Sequence, residues 1–127
     1  MLTVLAQYND VGLFLLRAAI AIVFLTHGLP KITRSGDMAS GMRIPKTAVV
    51  LLGLIESLSA FALILGFYPQ IASLLLALVM AGAIWMKAMK WNVPFSAKDK
   101  VGWEFDFILF FAALAILLGG GGALGFF

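Results

Sequence analysis

Residues 47–67 read TAVVLLGLIESLSAFALILGF, and Glu56 is the one charged side chain in this stretch. A run of about 20 apolar residues is long enough to cross the ~30 Å hydrocarbon core of a bilayer as an α-helix. The stretch contains twelve Leu, Ile, Val and Phe residues, and each favours insertion by ~0.3–0.6 kcal/mol, against a cost of ~2.5–3.5 kcal/mol for one central charge. The stretch is therefore predicted to span a membrane despite its carboxylate.

The rest of the chain shares this apolar character. Of its 127 residues, 63% are hydrophobic and 12% are charged, whereas a soluble domain carries about 25% charged residues. The mean hydropathy is +1.08. We predict an all-α fold, a transmembrane four-helix up-down bundle. It forms a single membrane domain over residues 1–127, with helices at approximately 12–30, 47–67, 70–89 and 103–119.

The basic residues are concentrated in two connections between the apolar stretches. Eight of the nine Lys and Arg residues lie there: Lys31, Arg34, Arg43, Lys46, Lys87, Lys90, Lys98 and Lys100. Short basic connections stay on the cytoplasmic side of a membrane, so both are predicted to be cytoplasmic and both termini to face outward. The net charge of +3 comes from these basic residues, and their expected partners are anionic lipid headgroups. Nucleic acid is not an expected partner.

Glu56 is predicted to face protein and not lipid. At 100° per residue it shares one arc of ~100° with three small residues: Gly53, Ser57 and Ala60. Small residues mark the faces where membrane helices approach closely. Its expected partner is Arg17. Helical rise places Glu56 ~16 Å and Arg17 ~8 Å from the outer boundary, and a long arginine side chain can span much of that difference. Three roles stay open for this buried charge pair: fixing helix register, binding a ligand or proton, and contacting another subunit.

A second polar cluster is predicted near the cytoplasmic surface. Its members are a candidate quinone or proton site: His27, Lys31, Lys87, Glu104 and Asp106. Glu104 and Asp106 lie ~160° apart around one helix, so they cannot both face the same site, and Glu104 is expected near His27 and Lys31. His27 can hydrogen-bond a quinone carbonyl or shuttle a proton, or it can simply bond a backbone carbonyl at the end of its helix.

The chain has one histidine and no cysteine. This composition excludes disulfides, Cys-bound metals, bis-His haem and multi-His metal sites. No metal and no intrinsic cofactor are expected, and no catalytic residue can be assigned. If electrons pass, the carrier is a bound quinone or a cofactor on a partner.

In this order the residues resemble the DoxX family of small four-helix membrane proteins. The matching segments are LLRAAIAIVFLTHGLPKI (15–32), GLIESLSAFALILGFYPQIASLLLALVMAGAI (53–84) and WEFDFILFFAALAILLGGGG (103–122). The resemblance rests on the combination of Arg17, His27, Gly28, Lys31, Gly53, Glu56, Gly66 and Glu104. Many family members carry a histidine where this chain has Lys87, and an apolar residue where it has Asp106.

The resemblance implies a redox-linked subunit in the cytoplasmic (inner) membrane of a prokaryote, with lipids and other membrane subunits as partners. The family is tied to membrane oxidoreductase systems, including sulfur-compound oxidation that feeds electrons to quinone. Three functions stay open. The chain is a quinone-associated subunit whose buried charges bind quinone or relay protons, a non-catalytic structural or assembly subunit, or a small proton-coupled transporter.

Overall fold

The computed structural model describes residues 2–125, and within them the chain is helical and contains no β-strand. This confirms the all-α prediction. A 3₁₀ segment, Leu2–Tyr8, leads into the first α-helix. The helices are α1 (Asn9–Thr33), α2 (Ser35–Met42), α3 (Lys46–Leu65), α4 (Pro69–Trp85) and α5 (Glu104–Gly119), and α4 continues into a π turn over Met86–Lys90.

Three helical stretches are long and apolar enough to cross a membrane: Leu2–Thr33, Lys46–Leu65 and Pro69–Lys90. Their outer surfaces expose large apolar side chains, such as Leu58 at 67%, as lipid-facing helices do. Helix α5 has 16 residues, fewer than the ~20 that a perpendicular span needs. The fourth span, and with it the transmembrane four-helix bundle, stays a prediction.

Helices α1 and α3 run antiparallel and approach closely through two glycines. A Cβ on Gly28 would lie 2.8 Å from Ser57 Oγ, and a Cβ on Gly53 would lie 2.8 Å from the Gly28 carbonyl oxygen. Larger residues would force the helices apart, so these glycines fix the register of α1 against α3. Gly53, Glu56, Ser57 and Ala60 are all buried, which confirms the predicted face of α3.

Helices α3, α4 and α5 follow one another in antiparallel order. The α3–α4 connection turns through two left-handed residues, Gly66 (φ 71°) and Tyr68 (φ 46°), before Pro69 opens α4. Proline suits this position because the first helical N–H has no partner within the helix. At the same end of the molecule, Gln70 Nε2 donates to the Leu117 carbonyl at 2.8 Å, which ties the start of α4 to the end of α5.

The apolar core lies between α1, α3, α4 and α5. Its fully buried large side chains include Phe24, Leu63, Leu76 and Ile116, one from each of these helices. The remaining core positions are mostly small residues, which allow the helices to pack at short range.

The observed helix bounds differ from the predicted ones at the first basic connection. Helix α1 begins at Asn9 and continues past Pro30 to Thr33, although Pro30 removes one helical hydrogen bond. The Arg34 amide donates to the Pro30 carbonyl at 2.7 Å and closes this last turn. Helix α2 (SGDMASGM) was not predicted, because its two glycines and two serines give it low helix propensity.

We expect Gly53→Ala to lower the free energy of unfolding by about 1–3 kcal/mol, because the new Cβ overpacks the α1–α3 contact. This loss outweighs the ~1 kcal/mol by which alanine is the better helix former. Gly12→Ala is the matched control, since a Cβ on Gly12 would meet no atom within 4 Å. Denaturation of the purified variants in one detergent measures both effects, and a Gly53→Ala variant as stable as Gly12→Ala would contradict the close approach.

Candidate functional site

The intramembrane carboxylate of Glu56 is paired with Lys31, which lies one turn beyond Gly28 on α1. Lys31 Nζ lies 2.8 Å from Oε1 and 2.6 Å from Oε2 of Glu56. The Glu56 side chain is 1% exposed and the Lys31 side chain 13%. A buried carboxylate needs such a charge partner, and the close α1–α3 approach at Gly28 and Gly53 brings the two side chains within reach.

The predicted pairing of Glu56 with Arg17 is wrong. The contact between Gly28 and Gly53 sets the register, and Arg17 lies about three turns, or ~16 Å, along α1 from Gly28. Arg17 is instead packed against Gly66, at the far end of α3. The prediction assumed that the start of α1 and the end of α3 lie at the same depth, but α1 begins two turns before Arg17, which already lies beside Gly66.

Arg17 belongs to a separate contact between α1 and the glycine-rich C-terminal tail. Its Nη2 donates to the Leu124 carbonyl, and its guanidinium carbon lies 5.4 Å from the centre of the Phe14 ring. The Ala123 amide donates to Asp10 Oδ1 at 3.0 Å. Within residues 2–125, the buried Nε and Nη1 of Arg17 have no hydrogen-bond partner. The predicted deeper cluster of Arg17 and Glu56 therefore does not form, because Glu56 lies with Lys31 and Arg17 with the tail.

A second ion pair joins Lys87 to Asp106, with Lys87 Nζ 2.7 Å from Asp106 Oδ2. Lys87 lies in the π turn and Asp106 in the first turn of α5. π turns re-aim the side chains that follow them and are frequent at functional sites. Glu104, predicted to lie near His27, is exposed, whereas Asp106 is buried and faces the interior.

Both ion pairs line one cavity of about 810 Å³, a volume within the ~300–1,000 Å³ range of small-molecule sites. His27 lines the same cavity, and its ring centre lies 5.5 Å from that of Phe105. Of the five residues predicted for the cytoplasmic site, four meet at this cavity together with Glu56: His27, Lys31, Lys87 and Asp106. Glu104 does not line it.

The rest of the lining is almost wholly apolar and comes from every α-helix and the following connections. Four methionines contribute: Met38, Met42, Met80 and Met86. Helix α2 closes one end of the cavity with the first two, and Lys90 Nζ donates to the Arg43 carbonyl at 3.2 Å, which ties this end to the π turn. In the sequence, the i, i+4 spacing of Met38 and Met42 places both on one helix face. This spacing was the signal that could have revealed that both line a cavity.

Trp91 also lines the cavity. Its buried Nε1 has no hydrogen-bond partner within residues 2–125. The cavity therefore offers N–H donors from Trp91, His27 and two lysines, inside apolar walls. Its lysines and carboxylates balance in charge, so an uncharged molecule with carbonyl or hydroxyl groups suits it better than an ion, which would be left unpaired.

The described part of the chain, residues 2–125, contains no group of three or more His, Cys, Asp or Glu side chains placed to hold a metal ion. A family model described as DoxX matches residues 12–89. The matched range runs from the first turn of α1 to the π turn and leaves α5 outside. No curated protein and no solved structure matches the chain.

A double-mutant cycle distinguishes the observed partner of Glu56 from the predicted one. Glu56→Gln is expected to cost about 3–5 kcal/mol of stability, because it leaves the buried Lys31 ammonium unpaired. Glu56→Gln and Lys31→Gln should couple by about 0.5–3 kcal/mol, whereas Glu56→Gln and Arg17→Gln should add. Denaturation of the single and double variants gives both coupling energies. Additivity with Lys31 would contradict the pairing described above.

Proposed function

This chain belongs to the DoxX family, and from that membership and the cavity we propose that it is an integral membrane subunit of a redox-linked complex that binds a quinone. The observation that supports the proposal is the 810 Å³ cavity with two ion pairs on its wall. A quinone head needs donors for two carbonyl oxygens and apolar contact for its ring, and sites of this kind combine few polar groups with apolar walls.

The donors are held in place before a quinone binds. Lys31 and Lys87 are fixed by their carboxylate partners, and each ammonium has three N–H bonds, so each keeps donors for a further acceptor. Trp91 Nε1 is unpartnered within residues 2–125, and His27 offers a donor or an acceptor depending on its tautomer. Preorganised donors of this kind lower the entropic cost of binding.

The same groups suit proton transfer to a reduced quinone. Reduction of a quinone to a quinol takes two electrons and two protons, and in this proposal the electrons come from a redox cofactor on a partner subunit. His27 lies within electrostatic range of Lys31, Lys87 and Asp106. Histidine can take up and release a proton, so His27 is the group through which protons reach the quinone oxygens.

A structural or assembly subunit is the second candidate, because the two ion pairs join α1 to α3 and the π turn to α5. In that case the charges specify helix packing alone, and the cavity binds no quinone. A proton-coupled transporter would require Glu56 to exchange Lys31 for a substrate during each cycle, and this function stays a prediction.

We place the chain in the cytoplasmic (inner) membrane of a prokaryote with both basic connections in the cytoplasm. The cavity then lies in the cytoplasmic half of the bilayer, with α2 at the headgroups. Helix α5 completes the fourth span in this arrangement, aided by local thinning of the bilayer around a short helix.

His27→Ala tests quinone binding, because His27 lines the cavity without belonging to either ion pair. It is expected to weaken decylubiquinone binding roughly 2- to 12-fold, the equivalent of one net hydrogen bond of 0.5–1.5 kcal/mol. Thr26→Ala is the control, since Thr26 Oγ1 bonds the Ile22 carbonyl at 2.8 Å and lies outside the cavity lining. Calorimetric titration in mild detergent measures the affinities. A wild-type protein that binds no quinone would favour the structural subunit.

Single cysteines test the orientation, because the chain has none of its own. In intact cells a membrane-impermeant maleimide is expected to label Gln7→Cys, and to label Ser40→Cys and Ser96→Cys only after lysis. All three positions are exposed, so accessibility depends on the side of the membrane. The reverse pattern would overturn the placement of the basic connections in the cytoplasm.

A further inference from the structure

The space between α3 and α4 is bounded by a connection at each end. At one end the tight turn at Gly66 and Tyr68 joins the two helices. At the other end, the bond from Lys90 to the Arg43 carbonyl connects the π turn to the residue that follows α2. Between these closures both helices line the cavity, so the two closures frame a window.

The residues on the edge of this window line the cavity, and those of α4 are also exposed. On α4 they are Leu75, Leu78, Gly82 and Trp85, with Leu78 61% and Trp85 58% exposed. A Cβ built on Gly82 would meet no atom within 4 Å, so open space adjoins the backbone there. The facing edge of α3 consists of Ala48, Leu52 and Ile55. The window is therefore apolar on both sides.

On the opposite side of the bundle, two contacts lie at the level of the polar groups. There His27 of α1 and Phe105 of α5 pack with their ring centres 5.5 Å apart. Helices α1 and α3 meet at Gly28 and Gly53. An amphiphile whose head reaches the ion pairs can therefore extend its apolar part along the exposed lining residues of α4, between α3 and α4.

We infer that this window is a lateral portal, through which a membrane-borne molecule with a long apolar tail enters the cavity from the bilayer. Its polar head lies at the Lys31–Glu56 and Lys87–Asp106 pairs, and its tail leaves between α3 and α4 past Gly82. The inference rests on the proposed function for the identity of the head, a quinone. It adds that the tail contributes to recognition and that entry is from lipid, because the edges of the window offer apolar contact only.

The test uses the absence of native cysteines. Gly82→Cys places one thiol at the portal, and Ala81→Cys places one on the neighbouring exposed position, which does not line the cavity. Each variant is measured before and after reaction with a bulky methanethiosulfonate, and again after reduction and removal of the reductant. Comparing modified with restored protein in the same sample separates a blocked portal from a failure to fold. The probes are decylubiquinone and its tail-less head, 2,3-dimethoxy-5-methyl-1,4-benzoquinone.

Blocking Gly82→Cys is expected to weaken decylubiquinone binding at least tenfold, to leave the tail-less quinone within twofold, and to be reversed by the reductant. Bound decylubiquinone should also slow modification of Gly82→Cys and leave that of Ala81→Cys unchanged. If wild type binds both quinones and blocking Gly82→Cys weakens neither or both equally, the portal is wrong while the proposed function survives. If wild type binds neither quinone, the proposed function and the portal are overturned together.

Discussion

The ion pair between Lys31 and Glu56 is the interaction on which the rest of the structure depends. A charge inside a bilayer is tolerated when it faces protein and has a partner, and here each partner is supplied by a different helix. The pair can form only if α1 and α3 come close, which Gly28 and Gly53 permit. The single contact between α1 and α3 therefore sets the helix register, the close packing and the pairing of the two charges. The cavity lies beside this contact.

The cavity differs from the apolar core in how its space is filled. In the core, one large side chain from each of four helices occupies the centre. The cavity, by contrast, is lined by long flexible side chains that include four methionines and two lysines. Methionine adapts to irregular shapes because it is unbranched, so this end of the molecule can accommodate a planar head in more than one pose while the ion pairs keep its polar wall fixed.

The sequence was sufficient for the helical class, for the face of α3 and for most of the polar cluster, because these follow from hydropathy and 100° periodicity. It was not sufficient for the partner of Glu56, since the choice between Lys31 and Arg17 depends on axial displacement between helices, which periodicity does not contain. Nor could it choose between Glu104 and Asp106, because both fit the first turn of a helix. Lys87 and Asp106, where the resemblance to the family is weakest, pair with each other.

In the π turn over Met86–Lys90, the number of residues matters as well as their identity. A π turn holds one more residue than the α-helical turn it replaces, so it rotates everything after it by about 100° relative to an uninterrupted helix. Trp91 follows the π turn and reaches the cavity by virtue of that rotation. Deleting Ala88, which does not line the cavity, would preserve every side chain that the cavity uses and still turn Trp91 away. The spacing of this segment is therefore under tighter constraint than its composition.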